Sequence, residues 1–160
     1  MKTMMTGFAA LAIAATSTPA FAKNHAQHCA LVSRAAVEGL FPRFNDAWAT
    51  KDPNKVTALF TRDAMLLATI SNKPRLNHAE INDYFVSFLK GSPVGTINTS
   101  TVRLGCNMAA RLGTWTVSLT DAATGAKTDV TARYSFIYRF ENGQWMIDHL
   151  HSSKMPEPTS

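Results

Sequence analysis

Residues 128–153 decide the fold of this chain, and they read TDVTARYSFIYRFENGQWMIDHLHSS. The run consists of two strand-like halves, rich in aromatic and β-branched residues, on either side of Asn142 and Gly143. An Asn-Gly pair between two such halves is typical of a type I′ hairpin, because both central residues of that turn need a positive φ. The sequence therefore predicts that the chain ends in a long β-hairpin.

A two-residue loop also predicts which side chains of the hairpin share a face, since directly opposed residues point to the same side. Counting back from the turn pairs Phe136 with His149. It also pairs Tyr134 with His151. One face is then rich in aromatic residues and carries Tyr134, Phe136, Tyr138, Phe140, Trp145, Ile147, His149 and His151. We expect this face to cover the core, with the two imidazoles at its far end marking a site.

The first 22 residues are predicted to be a signal peptide. Lys2 gives a positive start, residues 7–15 form an apolar run, and Ala20 and Ala22 stand at the two positions that a signal peptidase reads. The apolar run is too short to span a bilayer. We therefore expect export to the periplasm or beyond, with no membrane attachment after cleavage.

The remainder is predicted to be one domain, residues 33–157, preceded by a loose segment, residues 23–32. The formal net charge of the whole chain is +5, and its lysines and arginines are scattered rather than clustered. Scattered positive charge gives no basic patch, so we expect no nucleic-acid partner.

Cys29 and Cys106 both lie beyond the predicted cleavage point. An oxidising compartment favours a disulfide between them, which would pin the N-terminal segment to the sheet. Two buried free thiols are the alternative.

Three helices are predicted before most of the strands. The first, over residues 33–50, has its apolar residues on one face and is expected to kink at Pro42. Asp52 and Pro53 suit the cap and first position of the second. Asn77 caps the third, with Glu80 placed to reach back to it.

Five strands are predicted. One short strand, residues 64–69, precedes the third helix, and the rest of the chain from residue 95 reads as a four-stranded meander. Gly113 inside a long strand indicates a bulge or sharp bend. Helices layered on one strongly bent antiparallel sheet make an α+β fold, whose hollow side leaves a pocket.

Several stretches together carry a family resemblance. They are AWATKDP at 47–53, NKPR at 72–75, DYF at 83–85, FL at 88–89, ARYSFIYR at 132–139, NGQW at 142–145 and HLHSSKMPE at 149–157. With them the chain resembles the nuclear transport factor 2-like (SnoaL-like) superfamily. More closely, it resembles bacterial relatives of the association (hub) domain of calcium/calmodulin-dependent protein kinase II. The likeness extends over about residues 33–157.

The resemblance implies a cone-shaped fold, a homodimer or larger ring, and a pocket under the first helix. The superfamily includes isomerases, dehydratases, hydrolases and plain binding or assembly domains, so the fold does not decide the function. Kinase hub domains hold arginines that bind small carboxylates, whereas this chain has Phe136 and Ser152 where two of them would align. The glycine-rich and catalytic-loop motifs of kinases are missing, so we expect no kinase activity.

His149 and His151 are the candidate catalytic residues. Imidazole titrates near neutral pH, so the pair could act as acid and base or hold a ligand. They could equally be hydrogen-bonded core residues. As metal ligands they would need Asp148, which the predicted register places on the opposite face beside Arg133 or Arg139. We therefore predict no metal site.

Other residues are candidates for the pocket wall. Trp48 and Tyr84 lie on apolar helix faces and could hold a flat ligand or only fill the core. Arg75 is the candidate anion anchor at the mouth. The full predicted ligand-binding set is Trp48, Arg75, Tyr84, Tyr134, Phe136, His149 and His151.

The sequence is compatible with two functions. The first is an exported binding or self-assembly module that holds a small, partly apolar molecule. The second is an isomerase, dehydratase or hydrolase with His149 or His151 as its base. No cofactor is predicted in either case, because phosphate-loop and zinc-helix motifs are missing from the sequence.

Overall fold

The computed structural model describes residues 29–156. The predicted signal peptide, residues 1–22, lies outside the described residues, as do residues 23–28 of the N-terminal segment. The elements in chain order are α1 (Arg34–Ala49), α2 (Pro53–Thr57), β1 (Phe60–Leu67), α3 (His78–Phe88), a 3-10 turn (Leu89–Gly91), β2 (Val94–Leu104), β3 (Met108–Thr120), β4 (Lys127–Glu141) and β5 (Gln144–Lys154). Within the described part, no helix is both long and apolar enough to cross a membrane.

The first helix forms as the apolar spacing predicts. Ser33 caps it by accepting a hydrogen bond from the Ala36 N–H at 3.1 Å. The helix continues through Pro42. Its buried face consists of Val37, Phe41, Phe44 and Trp48. Through these side chains α1 packs against one face of the sheet.

The start of β1 is predicted wrongly. Asp52 caps α2 by accepting from the Asn54 N–H at 2.9 Å, and Pro53 is the first helical residue, as expected. The strand, however, begins at Phe60 rather than at residue 64. Phe60 fits the apolar stripe of a short helix equally well, but it pairs with Ile147 in the sheet.

The cap of α3 is confirmed at one of its two bonds. Asn77 Oδ1 accepts from the Glu80 N–H at 3.0 Å. The Glu80 carboxylate accepts from the Leu76 N–H at 2.8 Å instead of reaching the cap residue itself. Both bonds satisfy backbone donors where α3 begins.

The five strands form one sheet in the order β1-β5-β4-β3-β2. Strands β2 to β5 form the predicted antiparallel meander, but β1 runs parallel to β5. The sheet is therefore mixed: the predicted α+β class is confirmed, and the expected antiparallel arrangement is wrong only for the pair β1 and β5. The long connection between β1 and β5, which contains α3 and three strands, permits the parallel pairing.

Gly113 is needed for a close approach between β2 and β3. The β2–β3 register shifts between Ile97 and Thr99. A Cβ on Gly113 would lie 2.0 Å from the Thr99 carbonyl oxygen. The bulge is thus in β2, and the glycine predicted to mark it lies on the neighbouring strand.

The hairpin turn forms as predicted. Asn142 and Gly143 have φ values of 51° and 82°. Phe140 then pairs with Trp145, as the counting from the turn requires.

Two residues further from the turn, a bulge in β5 shifts the register. Tyr138 pairs with Ile147, but the next residue back, Ile137, pairs with His149, which leaves Asp148 as an extra residue. Because side chains alternate with a period of two, the inserted residue moves every later side chain of β5 to the other face.

The predicted pairs Phe136–His149 and Tyr134–His151 are therefore wrong. Phe136 faces Leu150. Tyr134 faces Ser152. Leu150 is only 3% exposed, so the bulge places an aliphatic side chain in the core where an imidazole was expected.

Contacts of Asp148 explain why the bulge forms at this residue. Its Oδ1 forms an ion pair with Arg139 Nη1 at 3.1 Å, which confirms that Asp148 lies beside one of the two expected arginines. The same atom accepts a hydrogen bond from Thr61 Oγ1 at 3.2 Å. The bulge keeps this carboxylate on the outer face with its partners while Ile147 and Leu150 are both buried.

The N-terminal segment is attached to the turn between β2 and β3. Cys29 and Cys106 form a disulfide. The neighbouring Ala30 N–H donates to Asn107 Oδ1 at 2.6 Å. These two links hold the start of the described chain against the sheet.

Candidate ligand-binding cleft

An apolar cleft lies between the helices and the inner face of the sheet. We call it the inner cleft. Five aromatic residues form much of its wall: Trp48, Tyr84, Phe85, Phe88 and Trp115. The remaining lining residues are mostly aliphatic or small: Leu66, Ala68, Thr69, Ile70, Val117, Leu119, Val130, Leu150 and Ser152. Of the buried side chains of α1, only Trp48 lines this cleft.

The inner cleft is narrow. Its volume is about 30 Å³, enough for only about two water molecules at roughly 10–15 Å³ each. An aromatic ring can enter only if a side chain at the mouth moves. Ile70, which lines the mouth and is 60% exposed, has room to do so.

A wider space adjoins the inner cleft. We call it the outer groove, and it is lined by Ile70, Ser71, Arg75, Asp83, Tyr84, Ser87 and Phe88. Its volume is about 330 Å³. Three residues, Ile70, Tyr84 and Phe88, line both spaces. A single molecule can therefore occupy the groove and place an apolar end in the cleft.

Two hydroxyl groups give the inner cleft an unused donor. Ser152 Oγ accepts from Trp115 Nε1 at 3.0 Å and is hydrogen-bonded to Thr69 Oγ1. Thr69 Oγ1 donates in the serine–threonine bond, so Ser152 Oγ accepts twice and its own hydroxyl hydrogen is left unused. This hydrogen is available to an oxygen atom of a ligand.

The indole of Trp48 provides a second unused donor. Trp48 lines the inner cleft and is 2% exposed. Its Nε1 is buried and has no acceptor within residues 29–156. A buried donor without an acceptor costs free energy, so an acceptor brought by a ligand would be stabilised here.

Arg75 is held at the mouth by its own backbone. Its N–H donates to the Leu66 carbonyl at 2.9 Å, and its carbonyl accepts from the Leu66 N–H at 2.8 Å. The guanidinium carbon lies 5.8 Å from the centre of the Tyr84 ring. The Arg75 Nε is buried with no acceptor in the described part of the chain.

Tyr84 is a neutral phenol over the whole physiological range. Burial raises the pKa of its hydroxyl, and the nearby positive charge of Arg75 offsets only part of that effect. The phenol therefore contributes a flat wall rather than a base.

His149 and His151 do not line the cleft. They lie on the outer face of the sheet, where His149 pairs with Ile137 and His151 with Ser135. Their predicted position in the pocket is therefore wrong. Burial lowers the pKa of His149, the nearby His151 lowers it further, and Asp148 opposes both effects.

The other predicted site residues divide between wall and core. Trp48 and Tyr84 line the inner cleft, and Arg75 lines the outer groove. Phe136 is 0% exposed, and its ring centre lies 5.4 Å from that of Phe44, so it fills the core. Tyr134 is also buried and donates to the Thr99 carbonyl at 3.0 Å.

Sequence reasoning missed Thr69, Leu150 and Ser152. One signal was available: Ile147 and Leu150 are three residues apart, a spacing that cannot place both in the core of a regular strand. An extra residue between them resolves the conflict.

The inner cleft offers little for catalysis. Among the described residues that line it there is no Asp, Glu, His, Lys, Arg or Cys. Over residues 29–156, no group of three His, Cys, Asp or Glu side chains comes close enough together to hold a metal ion.

The fold belongs to the nuclear transport factor 2-like class. A nuclear transport factor 2-like protein from Salmonella enterica shares it with a TM-score of 0.66 at 14% identity, over 77% of this chain and 91% of that one. A ketosteroid isomerase-like protein from Erwinia carotovora has a TM-score of 0.62 at 19% identity, over 77% and 96%. At these identities the likeness concerns the fold alone.

Within this class, the chain belongs to the calcium/calmodulin dependent protein kinase II association domain family, whose model matches residues 33–156. The crystal structure of such a domain from Xanthomonas campestris is 45% identical, covers 76% of this chain and 87% of that one, and has a TM-score of 0.74. No curated protein matches the chain.

Proposed function

We propose that this protein is an exported small-molecule-binding module of the association-domain family, without kinase or other catalytic activity of its own. One observation carries this proposal. The inner cleft combines an aromatic wall with buried donors that have hydrogens to spare, at Trp48 and at the Thr69–Ser152 pair. Such a site recognises an apolar molecule that carries a hydrogen-bond acceptor.

The absence of a suitable base favours binding over turnover. General acid–base catalysis needs a group that titrates near the working pH within hydrogen-bond reach of the substrate. The described lining residues of the inner cleft include no such group, and His149 and His151 lie on the other face of the sheet. The isomerase, dehydratase or hydrolase alternative therefore lacks the base on which it depends.

Export and self-association are further parts of the proposal. The segment at residues 1–22 has the pattern of a signal peptide, and a Cys29–Cys106 disulfide suits an oxidising compartment. The family is named for association, which supports a homodimer or larger ring. Native mass spectrometry of the exported protein should detect an oligomer; a monomer at micromolar concentration would remove this part.

Binding can be tested with N-phenylnaphthylamine, a neutral probe that fluoresces in apolar surroundings. We expect its fluorescence to rise and saturate with the protein. Ala68→Phe fills the cleft and should lower the affinity at least tenfold, because Ala68 is part of the wall. Ala35→Phe, on the exposed side of α1, is the matched control and should bind as the wild type does.

Two results would contradict the proposal. One is a wild-type protein that does not bind the probe. The other is equal binding by the wild type and a folded Ala68→Phe variant, which would place the probe elsewhere on the surface.

A further inference from the structure

We propose that the outer face of the sheet carries a copper site, in which the imidazoles of His149 and His151 and the thioether of Met65 bind one Cu(I) ion. This inference goes beyond the proposed binding function and does not depend on it, because the inner cleft lies on the opposite face. It is carried by the strand register, by the unused ring nitrogens and by the softness of the donor groups.

The register of β1 and β5 places the three side chains on one face. Met65 pairs with His149. The next residues along, Leu66 and Leu150, pair with each other and both line the inner cleft. Because successive side chains of a strand point to opposite faces, Met65, His149 and His151 all lie on the outer face.

The spacing of these residues suits a shared metal ion. Neighbouring strands lie about 4.8 Å apart, and residues two positions apart on one strand lie about 6.6 Å apart. Imidazole and thioether side chains are long enough to close such gaps and converge on one ion. Besides burial, the proximity of His151 lowers the pKa of His149, as expected of two imidazoles at this spacing.

The donor groups are accessible and have no other partner in the described chain. Within residues 29–156 neither imidazole of β5 forms a hydrogen bond, whereas His78, the remaining histidine of that range, is bonded through Nε2 to the Phe60 carbonyl at 3.0 Å. His149 is half-buried, His151 is exposed, and Met65 is 39% exposed. A metal ion can therefore reach all three groups from solvent.

The donor set favours copper over zinc. Imidazole is a ligand for both metals, whereas a thioether is a soft ligand that selects Cu(I). Met65 therefore supplies the preference. The sequence argument against a metal site required Asp148 as the third ligand. That carboxylate is paired with Arg139, and the third donor in the structure is the thioether on the neighbouring strand.

The test is a titration of the full exported chain with Cu(I), kept reduced by ascorbate without oxygen and measured in competition with the chelator ferrozine. Cys29 and Cys106 are joined in a disulfide and offer no competing thiolate. His25 and His28 lie outside the described residues. Every protein in the series therefore carries His25→Gln and His28→Gln, and the protein with these two changes alone is the reference.

We expect the reference protein to bind one Cu(I) per chain. Losing an outer-shell partner of a metal ligand already costs about 10–100-fold in affinity. Losing a ligand itself, in His149→Gln or His151→Gln, should therefore weaken Cu(I) binding at least tenfold. Met65→Leu removes the soft donor at similar volume and should weaken binding of Cu(I) while leaving binding of Zn²⁺ nearly unchanged.

Two matched controls should bind Cu(I) as the reference does. His78→Gln removes an imidazole that is already hydrogen-bonded. Met108→Leu removes a thioether of similar exposure, 49%, on β3. Circular dichroism of each variant establishes that it is folded, and unchanged binding of N-phenylnaphthylamine establishes that the cleft on the opposite face is intact.

Three results would overturn the copper site. One is a reference protein that binds no Cu(I). Another is equal Cu(I) affinity in the reference and in the folded His149 and His151 variants. The third is a loss in His78→Gln or Met108→Leu as large as that in the β5 variants. In each case binding of N-phenylnaphthylamine is measured separately, so the proposed small-molecule function stands or falls on its own.

Discussion

Alternating residues near the end of β5 lie on opposite faces of the sheet. Leu150 and Ser152 point inward and line the cleft. His149 and His151 point outward, where neither contributes to it. The two sets differ only in which side of the sheet the Asp148 bulge assigns to them. The bulge thus gives the cleft an aliphatic side chain and a hydroxyl and excludes two imidazoles.

Packing energy favours this assignment. Burying a leucine side chain stabilises a protein by about 1.5–3 kcal/mol, whereas an imidazole in the same place would need a hydrogen-bond partner to avoid a penalty. Phe136, which lies opposite Leu150 in the sheet, offers no such partner.

The largest expected effect is a difference in the free energy of unfolding between variants on the two faces of β5. Leu150→Ala leaves a cavity in the core and should lower the free energy of unfolding by about 2–5 kcal/mol. His151→Ala, one residue away on the exposed side, should change it by less than about 0.5 kcal/mol. Urea denaturation measures both. Similar losses for the two variants would contradict the assigned faces.

A second pair of neighbours tests the hydroxyl in the cleft. Ser152→Ala removes the acceptor of the buried Trp115 Nε1 and should cost about 1–3 kcal/mol. Ser153→Ala, its partly buried neighbour on the outer face, should change the free energy of unfolding by less than about 0.5 kcal/mol. A larger loss for the Ser153 variant would reverse the comparison.

Deleting Asp148 tests the bulge itself. Ile147 and His149 would then be consecutive and would keep their present faces, so the fold should survive. The loss of the contacts to Arg139 and Thr61 should cost about 1–2 kcal/mol. In a regular strand, deleting one residue would move every later side chain to the other face of the sheet and prevent folding. Circular dichroism and urea denaturation distinguish these results.

The smallest effect is a pH dependence from His149. Its pKa is lowered in the folded state, so the unfolded state binds more protons as the pH falls. This contribution to stability is complete above the unfolded pKa, near 6.5, and is lost as the pH falls below it. We expect stability to decline between about pH 7 and 5, less steeply in His149→Gln. If the stability of His149→Gln declined with pH as steeply as that of the wild type, the lowered pKa of His149 would not be the cause of the decline.

Local signals in the sequence predict most of the fold. The Asn142–Gly143 turn and the caps at Asp52 and Asn77 form as expected, because each depends on residues close together in the chain. The parallel pairing of β1 with β5 left no such signal. It joins Phe60 to Ile147 and depends on how the whole domain packs.

The candidate site is predicted less well than the fold, and a single residue accounts for most of the difference. Trp48, Tyr84 and Arg75 were expected from helix faces and a loop, and they line the cleft or the groove. The histidines were placed by counting along a regular strand. That counting fails at Asp148, whose partner Thr61 is far away in the sequence.

Nuclear magnetic resonance of the three indole N–H groups tests the account most directly. Trp48 and Trp115 line the inner cleft, whereas Trp145 lies near the hairpin turn beside Phe140. On titration with N-phenylnaphthylamine, we predict that the Trp48 and Trp115 signals shift while those of Trp145 and the two β5 imidazoles do not. Shifts at His149, His151 or Trp145, with Trp48 and Trp115 unchanged, would contradict it.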